Sequence, residues 1–161
     1  MASKVKIDDQ VWRNLKKRLG KGSPHVKVGV LAASGNHESG VSMIELAAIH
    51  EFGSPKAGIP ERSFIRRAFR DNRRELRNIT AKLARRLMPK GKGTSVRGEL
   101  TVAQALEVLG KWGAALVQKT ITAGPPIPPP LKLETAALKE SFRPLVDTGG
   151  LVGSINHEVV T

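Results

Sequence analysis

Apolar positions along the chain fall into a small number of clear patterns. Val11, Leu15 and Leu19 recur every four residues with Trp12 beside them. This predicts an amphipathic helix capped by Asp8 or Asp9 and stopped by Gly20 and Gly22. In His25–Ala32, Val26, Val28 and Val30 alternate with other residues, the period of a strand. After the polar turn Ser34–Gly40, Ser42–Glu45 reads as a capping box. It opens a helix running through Ile44, Ala48 and Phe52, with Gly53 as its stop.

A long helix is predicted from a Ser63 cap to about Met88, ended by Pro89. At about 100° per residue, Ile65, Phe69, Asn72, Leu76, Ile79, Leu83 and Leu87 form one stripe. Thr101–Gln104 is a second capping box, before Val102, Ala105, Leu106, Leu109, Trp112, Leu116 and Val117 at helical spacing. Gly110 and Gly113 weaken that helix but let another backbone come close. Gly124–Pro130 holds five of the ten prolines and predicts an extended segment. A short helix over Glu134–Ser141, a turn over Pro144–Ile155 and a strand over Ile155–Val160 complete the pattern.

With 161 residues the chain is expected to be a single domain, 1–161. Residues 1–6 form a loose arm, and 89–100 and 122–133 form extended loops. The fold class is α+β: a small antiparallel sheet packed by two long helices, with an N-terminal helix and an extended Pro-rich loop.

Charge changes this picture in one place. The net charge is +13, from 27 basic and 14 acidic residues. Residues 1–27 carry a net +6, 28–61 a net −3, 62–92 a net +10 and 93–161 none. The +10 block coincides with the long helix. Arg62, Arg66, Arg67, Arg70, Arg73, Arg74 and Arg77 fall on an arc beside its apolar stripe. Arginine over lysine favours bidentate pairing with carboxylate or phosphate, so this face is expected to meet another subunit or the DNA backbone.

Other chemistry is not indicated. Cys is absent, which removes disulfides, thiol catalysis and thiolate metal sites, and fits a reducing compartment. No apolar run approaches the roughly 20 residues of a membrane span, so no membrane partner is expected. His25, His37, His50 and His157 are scattered, and His50-Glu51 lacks the second His of a helical zinc site. Gly91–Thr94 has phosphate-loop residues in the wrong order. Asp147-Thr148-Gly149 matches the short aspartic-protease signature. Twelve following residues leave no room for the β-rich barrel that chemistry needs, so the triplet reads as a turn. No catalytic residue, cofactor or metal is expected.

Two separated segments carry a resemblance. Ile44–Gly53 (IELAAIHEFG) with Gly58–Phe69 (GIPERSFIRRAF) resembles a signature of tailed-phage neck and tail-completion proteins, also called minor tail or head–tail joining proteins. Pro130–Ile155 (PLKLETAALKESFRPLVDTGGLVGSI) resembles the C-terminal pattern of the same group. The motif positions are His50, Glu51, Phe52, Gly53, Pro60, Phe64, Asp147, Thr148 and Gly149, and the resemblance covers about residues 26–160. It implies a structural virion protein made in the host cytoplasm, without enzymatic activity. Such a protein forms a homo-oligomeric ring of six or twelve copies that joins portal or head-closure proteins to tail-terminator or tail-tube proteins. Non-specific contact with genomic DNA is compatible with it. The alternatives are a tail terminator capping the tail tube and a stand-alone basic DNA-binding protein.

Overall fold

The computed structural model describes residues 13, 22–31, 34–37, 40–87, 100–138, 143–146 and 149–160, with the side chains at 134, 136 and 138 excepted. The helix expected before Gly20, the arm over 1–6, the loop over 89–99, and Asp147 and Thr148 lie outside the described residues.

Strand β1 (His25–Val30) is followed by helix α1 (Met43–Phe52), a single 3₁₀ turn (Pro55–Ala57), α2 (Phe64–Asp71) and α3 (Arg73–Leu87). Then come α4 (Val102–Thr122), α5 (Leu133–Leu138), the four-residue α6 (Gly150–Gly153) and strand β2 (Ile155–Val160). The two strands pair antiparallel over their full length, from His25 with Val160 to Val30 with Ile155. The architecture is the expected α+β: a two-stranded antiparallel sheet packed by helices, with a Pro-rich loop beside it.

α4 is the central element, since it lies against both strands and against α2 and α3. Its N-terminal capping box forms in full: Thr101 N donates to Gln104 Oε1 at 2.9 Å and Gln104 N to Thr101 Oγ1 at 3.2 Å. Gly110 and Gly113 admit the sheet. A Cβ at Gly110 would run into the His157 ring and come within 2.8 Å of Val26 Cγ2, and one at Gly113 within 3.1 Å of Val28 Cγ2. Gln118 Nε2 donates to the carbonyls of Val152 and Ile155, fixing α6 and the start of β2 against the same helix.

One core joins these elements: Ala47, Phe64, Ala68, Ala114, Val117, Ile121, Ile127, Leu145, Leu151 and Ile155. Phe64 and Val117 are its largest fully buried side chains. Ile127 brings the Pro-rich segment into this core. Arg143 Nη1 donates to the carbonyls of Ile121 and Gly124, holding the end of α4 against the chain that leads to buried Leu145.

The structure departs from these expectations in several places. The single helix over 63–88 is broken at Asn72, whose Nδ2 donates to the Ala68 carbonyl at 2.9 Å. That carbonyl is the one the residue 72 amide would take in a continuous helix. Asn72 adopts φ −109°, ψ 24°, and the chain restarts as α3. On α1 the buried face is Met43, Ala47 and Glu51, while Ile44, Ala48 and Phe52 face outward. Ser42 caps this helix by accepting from Glu45 N at 3.1 Å, but Glu45 makes no return bond, so only half of that box forms. The loop expected over 122–133 is shorter, because α4 runs through Thr122 and α5 begins at Leu133. The turn expected over Pro144–Ile155 contains α6, entered through Gly149 at φ 83°.

Candidate interaction surface

The site builds outward from one buried carboxylate. Glu51, at the last turn of α1, is 4% exposed. Ser63 precedes α2 but makes no side-chain cap. Glu51 supplies the cap instead: Ile65 N donates to Oε2 at 2.9 Å and Arg66 N to Oε1 at 3.0 Å. Two of the unpaired amides of the α2 N-terminus are satisfied by a charge that also complements the helix dipole. That partnership is what permits a carboxylate on the core-facing side of α1.

Arg66 closes the arrangement from outside. Its Nε donates to Glu51 Oε1 at 3.0 Å, and its Nη2 to the Glu51 carbonyl at 2.7 Å and to Glu61 Oε1 at 2.9 Å. The bond to Glu51 holds the Arg66 pKa above the ordinary arginine value. The same guanidinium lies 5.0 Å from the Phe52 ring centroid. Gly53 makes the approach possible. It sits at φ 77°, and a Cβ there would lie 2.8 Å from Glu61 N.

Arg62 is the second structural arginine. It is 8% exposed, with Nε donating to the Pro129 carbonyl at 3.0 Å and Nη2 to the Pro130 carbonyl at 3.3 Å. Burial holds its pKa below the ordinary value. Prolines offer acceptors without donors, so a five-donor side chain complements them. Arg62 N also donates to the His50 carbonyl at 2.8 Å. Arg62 therefore belongs to the scaffold, which corrects its expected place on the exposed face.

The remaining arginines divide. Arg67 and Arg70 both pair with Asp71, at 3.4 and 3.1 Å. Arg73, Arg74 and Arg77 are exposed on α3 and make no ion pair among the described residues. Arg85 and Arg86, further along the same helix, are likewise exposed and unpaired. The predicted arc ended at Arg77, although the 100° stepping that defined it extends to Arg85. Of the seven predicted arginines, three therefore present guanidinium groups with no ion pair among the described residues.

Of the motif positions, His50, Glu51, Gly53 and Phe64 serve the junction between α1 and α2. Pro60 is exposed in the connection between these helices, and Gly149 starts α6. Phe52 is different, since its ring is 66% exposed.

Two hollows flank α4. One, of about 380 Å³, lies between it and α2–α3, with Arg67, Asp71, Glu75, Trp112 and Lys119 on its walls. The other, about 220 Å³, is lined by Val26, Val28, Phe69, Leu76, Leu109 and Trp112. Among the described residues no three His, Asp or Glu side chains group to hold a metal ion, and no helix is long and apolar enough to cross a membrane. No protein-family model, curated protein or solved structure matches the chain.

Proposed function

We propose that the protein is a structural, non-catalytic subunit of the tailed-phage head–tail connector: a neck or tail-completion ring linking portal or head-closure proteins to the tail tube. The observation that carries this reading is the exposed stripe Ile44–Ala48–Phe52 on α1. Ile44 is 45% and Phe52 66% exposed, and the three residues stand at i, i+4 and i+8 on one face. Single exposed apolar residues are ordinary, whereas an aligned row with an aromatic end is the form of a subunit contact. Phe52 is held from behind by Arg66, itself fixed by Glu51 and Glu61, so the ring is presented with little ordering left to lose. The stripe lies within the IELAAIHEFG segment that carries the family resemblance.

The test has two parts. Sedimentation of the purified chain is expected to show a closed oligomer of six or twelve copies. Ile44→Gln with Phe52→Gln is expected to leave a folded monomer. Purified virions are expected to hold the protein at the neck in symmetric copy number. A wild-type chain that is monomeric at high concentration and absent from virions overturns the reading.

A further inference from the structure

The outward face of α3 has a composition that neither the fold nor self-assembly explains. Arg73, Arg74, Arg77 and Arg85 fall within an arc of about 120°, beside the Leu76–Ile79–Leu83 stripe, and span about 18 Å of helix. All four are exposed and have no ion pair or hydrogen bond from the side chain among the described residues, whereas Arg66, Arg67 and Arg70 pair with carboxylates and Arg62 donates to two backbone carbonyls. Arg73 and Arg77 are like charges at i, i+4, a spacing that costs helix stability. Among the described residues no carboxylate pairs with these arginines, and an external anion would relieve the repulsion.

A second copy is a poor source of that anion. The chain has 14 acidic residues against 27 basic, and Glu51, Glu61, Asp71, Glu107 and Glu158 are already in ion pairs. An acidic protein partner also fits badly. Protein interfaces are anchored by buried aromatic or aliphatic side chains, and between these arginines the face offers only the exposed methyl groups of Ala81 and Ala84. Small residues there let a backbone come close to the helix. No aromatic ring lies on the face for bases to stack on, which disfavours single strands. About 18 Å of duplex axis carries about ten phosphate charges, ample for four guanidinium groups.

We infer that the Arg73–Arg74–Arg77–Arg85 face of α3 binds the phosphodiester backbone of duplex DNA without reading its sequence. This goes beyond the assembly reading and stands whether or not the chain forms rings.

The experiment measures fluorescence anisotropy of a mixed-sequence duplex of about 20 base pairs with the full chain, from about 50 to 200 mM salt. Arg73→Gln, Arg77→Gln and Arg85→Gln are combined in one variant. Lys56→Gln, Lys119→Gln and Lys132→Gln, equal in charge but elsewhere on the surface, form the control. At a slope of about 0.9 per phosphate contact, the arginine variant lowers the salt slope by about 2.7. Wild type then loses about 40-fold more affinity than the variant over that salt range. The control is expected to lower the slope by less than about 1, and a scrambled duplex to bind equally well. Equal slopes for the two variants overturn the proposal, as does a preference for the single strand of the same sequence. A face built for an acidic protein would leave the arginine variant with the control's slope. Sedimentation of the same samples reports assembly separately, so failure of the DNA contact and failure of the ring are told apart.

Discussion

Replacing Glu51 by Gln keeps the shape of the side chain while removing its charge and one of its two acceptors. The carboxylate takes three bonds at its oxygens, from Ile65 N, Arg66 N and Arg66 Nε, at 2.9 to 3.0 Å. A glutamine can serve Oε1 or Oε2, and its NH₂ group then faces a backbone N–H with no acceptor between them. Hydrogen bonds to a charged group contribute about 1.5–3 kcal/mol, and a buried group left without its partner costs about 1–3 kcal/mol. Against this, Arg66 is 53% exposed and regains water when its partner loses charge. Loss of one amide bond together with the weakened cap gives an expected destabilisation of about 2–4 kcal/mol. For a chain of this length that lowers Tm by roughly 4–16 °C. Urea unfolding followed by far-UV circular dichroism, at one protein concentration, measures it directly. Arg66→Met alone should cost less, and the double variant should fall short of the sum by about 1 kcal/mol or more, because both changes remove the same interaction. A Glu51→Gln effect below about 0.5 kcal/mol would refute the assignment of this carboxylate as the cap of α2.

Three further outcomes follow from the packing and charge. Gly110→Ala places a methyl group against His157 and Val26; despite a gain of about 1 kcal/mol in helix propensity it should destabilise by about 1–3 kcal/mol, whereas Gly153→Ala, with open space around its Cβ, should be neutral or mildly stabilising in the same thermal scan. Glu107 lies 3.2 Å from both His157 Nε2 and Lys111 Nζ, and those bonds, His157 first, lower its pKa below the ordinary 4.5. A carboxyl depressed in the folded state contributes stability above its unfolded pKa and loses it as pH falls through the folded value, so the Tm difference between wild type and Glu107→Gln should be full at neutral pH and vanish in acid. Arg62→Met leaves the Pro129 and Pro130 carbonyls without their donor; urea unfolding should show a stability loss of about 1–3 kcal/mol.

What the sequence made legible is what short-range pattern encodes. Alternating valines gave β1, the Thr101–Gln104 box gave the start of α4, and two glycines in that helix announced a close neighbour, here the sheet. The face of α1 was not legible. Ile44, Ala48 and Phe52 carry the apolar period, yet burial follows Met43, Ala47 and Glu51, because the amides of α2 provide Glu51 with partners 14 and 15 residues away. The arginine arc was visible as geometry but not as chemistry. Whether a guanidinium is spent depends on acceptors such as Pro129 and Pro130, 67 and 68 residues from Arg62, which no helical period reveals. The break at Asn72 was hidden because an asparagine within a periodic stripe can either continue a helix or compete for its carbonyls.

The pairing of β1 with β2 also sets the order of events when the chain folds. Lys27 and Glu158, joined across the two strands, are 131 residues apart. Bringing such distant segments together costs about 4 kcal/mol of loop entropy. A two-stranded ribbon does not hold by itself in water, so it must close onto a surface already in place, and the glycine-lined side of α4 provides one. While the protein is being made, β1 emerges early and waits with its pairing edge open until almost the whole sequence has been translated. A message cut shortly before codon 155 would leave both β1 and the bare side of α4 without their partner. Its product is expected to accumulate as aggregate or be degraded, rather than to persist as a smaller soluble domain.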